Sequence, residues 1–344
     1  LALLERRTFL STACMAGFFL SAGQLRARPM TRPPAASESY RQFLEGVRSQ
    51  ALAEGLSATA VTEALAMAPA PNQAVLARDR HQPEFTMTWA QYRSRVLKPA
   101  RLQQGAQVFQ NVRGTLTPLA QRYGAADGVV MGIWGLESGF GVTLGKFNVI
   151  DALATLAYDG RRAKFFRSEL LKALRIVSDG EAAPSTMLGS YAGAMGQPQF
   201  MPSAYLQYAV DVDGDGKPNI WTSKPDVFAS IANYLGRRHW IQGQGWGTEV
   251  SVPQGSEAEA LGAKGSRQSA VRSVSSWEAL GVRPVDGGSF TQPDLQARLL
   301  EPDGPGGQAF LVFHNFNVIR AYNPSDYYAL AVGLLGDACT GVPA

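Results

Sequence analysis

The 344 residues carry 32 Lys and Arg against 28 Asp and Glu, with 45% hydrophobic and 17% charged residues. The net charge is +4, of which residues 1–27 contribute +2; the remainder is close to neutral, and a nucleic-acid partner is not implied. The two cysteines, Cys14 and Cys339, give neither a disulfide framework nor a thiol metal site, and the length suits two or three subdomains.

The chain starts with a leader. Glu5-Arg-Arg-Thr-Phe-Leu10 precedes a short, weakly apolar stretch, Phe9–Gly23, and then Gln-Leu-Arg-Ala-Arg. Paired arginines ahead of such a core resemble a twin-arginine export signal over residues 1–27. Fifteen residues fall short of the roughly 20 that span a bilayer. A Sec signal or an uncleaved anchor is the alternative, and Cys14 is poorly placed for lipidation. The mature protein is expected in the periplasm, soluble rather than lipid-anchored. Residues 28–37 are rich in Pro, Ala and Arg and read as a linker.

A helical pattern follows, with Tyr40, Phe43, Val47 and Ala51 at helical spacing and Gly55 closing it. Ser57 is placed to cap a second helix through Val61 and Leu65. Ala70–Glu84 reads as irregular, and Phe85–Leu97 as a short helix. Pro99 suits the first turn of a longer helix with Leu102, Phe109 and Val112, which Pro118 is expected to break or kink.

The next stretch, Val129–Gly141, is apolar with one carboxylate, Glu137. Asp127 is placed to cap this helix, and Gly139 and Gly141 to end it just after Glu137. A Glu among Ile133, Trp134 and Leu136 loses solvation, which disfavours its charged form and prepares it to donate a proton near neutral pH. An ordinary helix-end residue is the alternative. Asn148–Tyr158 and an amphipathic helix with Phe165, Phe166, Leu170, Leu174 and Val177 follow. Arg161, Arg162, Lys164 and Arg167 at its start read as a solvated face or as a contact for an anionic polymer. Gly189–Tyr205 mixes small residues with Gln197 and Gln199, amides of the kind that bind sugar hydroxyls.

Asp211-Val-Asp213-Gly-Asp215-Gly216-Lys-Pro-Asn219-Ile-Trp-Thr222 has the spacing of an EF-hand calcium loop. Asp211, Asp213, Asp215 and Asn219 are its candidate ligands. Thr222 stands where a bidentate carboxylate belongs, so calcium is doubtful. Asp226–Trp240 reads as a helix. Val250–Pro253, Ala297–Leu300 and Ala309–Ile319 read as strands, Ser256–Ser276 as loop, and Asp326–Leu335 as a final helix capped by Asn323-Pro324-Ser325.

Several of these segments, taken in order, resemble the B-type lytic murein transglycosylases (the MltB family): Gln82-Pro-Glu-Phe-Thr86, Ile133-Trp-Gly-Leu-Glu137-Ser-Gly-Phe-Gly141, Asp151–Ala157, Ala192–Gly196, Gln199-Phe-Met-Pro-Ser203, the aspartate loop into Trp221, Ile231–Tyr234, and Asn315–Ile319 with Tyr322-Asn323. The resemblance implies a mainly α (α+β) fold. A lysozyme-like core over residues 125–210 would follow a helical domain over 38–124. The aspartate loop and its helix would occupy 211–250, a small mixed segment with short β-strands 251–322, and the C-terminal helix and tail 323–344. It implies cleavage of the β-1,4 bond between N-acetylmuramic acid and N-acetylglucosamine in peptidoglycan, without water, leaving 1,6-anhydromuramoyl ends. Glu137 would be acid and then base, and Ser190, Gln199, Tyr234, Tyr322, Asn323 and Tyr328 would line the sugar cleft. It requires no cofactor. Glycan strands are the implied partner, cell-wall synthesis proteins are further candidates, and a monomer is expected. Some relatives append a separate peptidoglycan-binding domain, for which this chain ends too soon. A hydrolytic muramidase and a catalytically silent peptidoglycan-binding protein are the competing readings.

Overall fold

The computed structural model describes residues 40–80, 87–262, 265 and 269–341. The leader, the linker, Cys14 and the Gln82–Thr86 motif lie outside them. The first helices follow the apolar spacing. Helix α1 (Tyr40–Ala53) buries Phe43, Val47 and Ala51. Helix α2 (Ala58–Leu65) starts at Ser57, whose side chain accepts from the N–H of Ala60.

The stretch expected to be irregular contains α3 (Gln73–Asp79). Asn72 caps it through the N–H groups of Ala74 and Val75, and Arg161 and Arg162 both hold the buried Asp79 near its end. Seven residues are too few to show a period, so capping and tertiary pairing make this helix. The pairing also adds to the reading of the arginine cluster as a solvated face, on which Arg161 and Lys164 are exposed. Arg161 and Arg162 tie α3 to the rest of the chain, while Arg167 donates to Gln50 at 3.0 Å and lies over Phe43.

Helix α4 (Trp89–Val96) opens at Thr88, in a capping box with Gln91. Helix α5 (Pro99–Arg122) runs through Pro118 without the expected break. Leu116 and Ala120 are buried on either side of the proline, and the helix packs against three others. That burial outweighs the roughly 3 kcal/mol an interior proline costs. Helix α6 (Asp127–Ser138) carries Glu137. Asp127 is its first residue rather than its cap, and its carboxylate accepts from the Thr117 hydroxyl at 2.5 Å.

The remaining helices are α7 (Val149–Asp159), α8 (Ala163–Ser178), α9 (Pro202–Tyr208), α10 (Lys224–Arg237), α11 (Glu257–Leu261), α12 (Val274–Ala279), α13 (His314–Tyr322) and α14 (Asp326–Thr340). The strands are β1 (Phe147–Asn148), β2 (Leu188–Gly189), β3 (Gly247–Ser251), β4 (Val271–Ser273), β5 (Arg283–Pro284), β6 (Gln296–Leu300) and β7 (Ala309–Val312). The first two pair with each other, and the rest form an antiparallel sheet in the order β4-β6-β7-β3-β5. Two expectations change here. Ala309–Ile319 is strand only to Val312 and then turns into α13, and the loop expected over Ser256–Ser276 contains α11 and β4.

The architecture is mainly helical with one five-stranded sheet and one two-stranded pair, as the expectation of a mainly α fold with short β-strands had it. Among the described residues three apolar cores hold it together. One joins α1–α3 to α7 and α8, with Phe43, Leu153, Phe166 and Leu170. The second surrounds α6, with Trp134, Phe228, Leu235 and Leu335. The third lies under the sheet, with Val250, Trp277, Leu299 and Leu311. Helices α6 and α14 cross antiparallel and very closely. A Cβ on Gly132 would sit 2.1 Å from the carbonyl oxygen of Val332, and one on Gly336 would sit 2.2 Å from that of Gly128. This contact between distant parts of the sequence sets the geometry around Glu137.

Candidate active site

Glu137 lies in the last turn of α6, which Gly139 ends in the left-handed conformation (φ 58°). The residue keeps a partial opening to solvent and sits on the helix next to the buried Ile133, Trp134 and Ser138. Burial raises its pKa to about 7. One group opposes the shift: the Tyr328 hydroxyl donates to Glu137 Oε1 at 2.7 Å. Burial and this hydrogen bond are the influences on its acidity, and no second carboxylate is among them. Tyr328 is itself buried, and its own pKa is pushed well up by burial first and by the charge of Glu137 second.

Tyr328 owes its place to the start of α14. Ser325 caps that helix through the N–H of Tyr328, and Arg320 pairs with Asp326 at 2.5 Å with both side chains largely buried. Arg320 also donates to the carbonyl of Pro324. The ion pair therefore brackets the turn that presents Tyr322, Asn323 and Tyr328.

Most of the sugar-cleft candidates meet around residues 190–200. Ser190 is buried; its oxygen accepts from the N–H groups of Ala192 and Ala194, which leaves its proton to donate. Gln199 holds a left-handed backbone (φ 54°) that is rare for a non-glycine residue. Its amide nitrogen donates to the carbonyls of Gly196 and Leu144, at 2.8 and 3.3 Å. Its side-chain oxygen accepts nothing from the described residues. Tyr322 donates to the carbonyl of Pro198, and its ring meets those of Tyr234 and Phe200 at 4.7 and 5.8 Å. Tyr234 donates to the carbonyl of Ala321 at 2.5 Å. Asn323 is buried beside this group and accepts from the N–H of Ser325. The structure thus brings Tyr234, Tyr322 and the Gln199 segment together on one side and Tyr328 directly onto Glu137.

Gln197 departs from the sequence reading. Its oxygen accepts from Trp134 Nε1 at 2.7 Å and its nitrogen donates to the carbonyl of Trp221 at 2.9 Å. Both ends of the amide are spent on tying α6 to the end of the aspartate loop. Gly141 is required for this approach, since a Cβ there would lie 2.6 Å from Gln197 Oε1.

The aspartate loop is held by its own acids. Asp211 accepts from the N–H groups of Gly214 and Gly216, Asp215 from that of Lys217, and Asn219 from those of Trp221 and Thr222. Asp211 and Asp213 come together with Asp226, their carboxylate oxygens within 4.8 Å of one another. Asp226 is fully buried and accepts from the N–H groups of Val212 and Asn219. It supplies a carboxylate that the twelve-residue spacing, ending on Thr222, did not include. This trio fits a hard divalent cation, which prefers oxygen ligands.

Tyr92 and Tyr327 were not singled out from the sequence. Their rings lie 5.8 Å apart, beside Trp89 and next to Tyr328. A Tyr at helical spacing reads as core packing, and no local signal would have marked either.

Comparison with known proteins decides the family. Residues 39–337 match the family described as the Transglycosylase SLT domain. The chain belongs to that family. Membrane-bound lytic murein transglycosylase B of Escherichia coli (strain K12) is 37% identical over 252 residues, which is 73% of this chain and 67% of that protein. SltB3 of Pseudomonas aeruginosa, solved in complex with NAG-anhNAM-pentapeptide, is 44% identical with a TM-score of 0.82, over 88% of this chain and 80% of that one. Escherichia coli Slt35, solved in complex with calcium, is 32% identical with a TM-score of 0.67, over 88% and 92%. The protein is therefore an enzyme of the lytic transglycosylase type, with the lysozyme-like fold of these neighbours.

Proposed function

We propose that this lytic transglycosylase cleaves the β-1,4 bond between N-acetylmuramic acid and N-acetylglucosamine in peptidoglycan without water, forming 1,6-anhydromuramoyl ends. The observation that carries the reading is the desolvated Glu137, with no second carboxylate acting on it. Two-carboxylate glycosidases set their acid groups roughly 5 to 9.5 Å apart. Here Glu137 has no carboxylate among the groups acting on it. Asp127 is ten residues back on the same helix, about 15 Å along its axis, and Asp151 is bound to Asn72 at 2.6 Å.

With a pKa near 7, Glu137 is available as an acid at neutral pH. Its proton goes to the glycosidic oxygen, and the C1–oxygen bond breaks with its electron pair leaving on that oxygen. The substrate's acetamide stabilises the cation at C1. The 6-hydroxyl of the same sugar attacks C1 and returns its proton to the Glu137 carboxylate. Atoms balance with no water consumed, and the acid is regenerated. Tyr328 supports both stages because its hydroxyl donates more strongly to the charged form than to the neutral one. Gln199, Ser190 and Asn323 offer polar groups to hydroxyls and acetamides, and Tyr234 and Tyr322 offer aromatic surface.

A divalent cation in the aspartate loop would be held by Asp211, Asp213 and Asp226 and would neutralise their charge; the bond cleavage needs nothing from it. No described helix is long and apolar enough to cross a membrane. The leader directs the enzyme to the periplasm, where its substrate lies.

Digestion of purified sacculi followed by mass spectrometry tests the reading. Products with anhydro ends are expected. Reducing ends, heavier by one water, would instead establish a hydrolytic muramidase, and no products at all a silent binding protein.

A further inference from the structure

Residues 87–126, covering α4 and α5, contain Arg93, Arg95, Lys98, Arg101, Arg113 and Arg122 and not one Asp or Glu. Arg93, Lys98, Arg113 and Arg122 stand on exposed surface, and Arg95 donates to the Met87 sulfur at 4.0 Å. Arg101 differs. It is half-buried in the first turn of α5, forms no ion pair, and has no hydrogen-bond partner among the described residues. A guanidinium cannot shed its charge in a protein, so one that is partly desolvated and unpaired is a binding group waiting for an anion.

Its position points to the substrate. One turn further along α5, a Cβ on Gly105 would lie 3.0 Å from the ring of Phe140, three residues beyond Glu137. Arg101 is also within electrostatic reach of Tyr92, whose ring packs on Tyr327, the neighbour of the tyrosine that holds Glu137. Tyr92 is also within electrostatic reach of Tyr328 itself. The sequence Arg101, Tyr92, Tyr328, Glu137 thus leads from an unpaired cation to the reacting acid. Burial lowers the pKa of Arg101, while the proximity of Tyr92 works the other way.

We propose that Arg101 recognises a carboxylate carried on the 3-O-lactyl side chain of the muramic acid, so that the enzyme selects acid-bearing strands over neutral glycan. The inference rests on peptidoglycan being the substrate. The glycan backbone is neutral, and its anionic groups sit on this side chain: on the stem peptide when one is attached, or on the lactyl group itself when it has been removed. A fork of N–H donors pairs with either carboxylate through two parallel hydrogen bonds. The cations upstream, Arg93 and Lys98, add to the field that draws such strands toward this end of the cleft.

The experiment compares wild type with Arg101→Gln and Arg101→Lys on three substrates. These are native peptide-bearing strands, amidase-stripped strands with free lactyl carboxylates, and native strands whose carboxylates have been converted to methylamides. The readout is the ratio of kcat/KM on native strands to that on methylamidated strands. Arg101→Gln is expected to lower this ratio roughly tenfold, with the change in KM, and Arg101→Lys to restore part of it. Loss on native strands alone assigns the carboxylate to the stem peptide, and loss on stripped strands as well assigns it to the lactyl group. A ratio unchanged in Arg101→Gln overturns the proposal, including the case where all activities fall together because the fold is damaged. Wild-type enzyme that releases nothing from native strands would overturn the assignment of the substrate instead, so the two failures are distinct.

Discussion

Two regions of this protein are built around carboxylates, and they use them in opposite ways. At the end of α6 one carboxylate stands in an apolar wall with one hydroxyl donor, and burial raises its pKa to about 7. In the aspartate loop, Asp211 is only partly covered and accepts from two backbone N–H groups, and the first of these, from Gly214, holds its pKa below the ordinary value against the opposing effect of burial. Burial with few donors produces a proton carrier. Donors that outweigh burial produce a fixed negative charge that shapes backbone. Asp226 lies between the extremes: burial raises its pKa, and the N–H groups of Val212 and Asn219 work against that. Gln197 ties the two regions together through Trp134 and Trp221.

The largest effect should come from the wall. Glu137→Gln keeps the shape and an acceptor for Tyr328 but removes the proton, and release of soluble muropeptides should fall by about three orders of magnitude while binding to sacculi persists. Measurable turnover near the wild-type rate would remove Glu137 from the chemistry. Tyr328→Phe should have the next largest effect. The lost hydrogen bond had been lowering the Glu137 pKa, so the alkaline limb of the pH–rate profile should move to higher pH, with kcat reduced roughly tenfold. A profile that stays in place would show that the hydroxyl does not act through the acid.

Much of the wall was readable in sequence, because desolvation follows from neighbours in the chain: Ile133, Trp134 and Leu136 surround Glu137 locally. The contact with Tyr328 was not, since 191 residues separate the two and only the close crossing of α6 and α14 brings them together. The resemblance to the transglycosylases supplied Tyr328 as a cleft residue without supplying its partner. Local reading failed wherever tertiary contacts overrode it. Pro118 is carried by burial on both sides, α3 by Asn72 and the pairing of Asp79, and α13 begins inside an apolar run with strand character. Asp226 was missed because the loop was counted to twelve residues, and its carboxylate returns from the first turn of the following helix.

Asp226→Ala should sharpen the contrast by separating stability from chemistry. It leaves the N–H groups of Val212 and Asn219 without their acceptor, at a cost of about 1–3 kcal/mol, readable as a lower midpoint in urea. The pH dependence of kcat should stay where it was, because nothing on the wall has changed. A shifted profile would show that the loop tunes Glu137.

The wall should also reveal itself through stability. The folded pKa of Glu137 lies near 7, above the unfolded value near 4.5. Between those limits the native state binds more protons than the unfolded one, so the stability contributed by the neutral acid is present below about pH 4.5 and is lost as pH rises toward 7. Glu137→Gln cannot ionise. Its Tm should match that of wild type in acid and exceed it increasingly up to about pH 7, then by a constant amount. Asp337, raised to about 7 by burial, is common to both proteins and drops out of the difference.

The smallest effect belongs to the loop. Its backbone is already organised by Asp211, Asp215, Asn219 and Asp226 acting as acceptors, so a cation adds charge neutralisation to a shape that side chains maintain. Activity on sacculi should therefore change less than about twofold in EDTA, and calcium should raise Tm only as mass action on a weak site allows. The path from the loop to the wall passes through the amide of Gln197, whose partners are both uncharged. That path transmits position rather than charge. Abolition of activity in EDTA, with recovery on adding calcium, would show that position at Trp221 is set by the metal and that the two regions act as one.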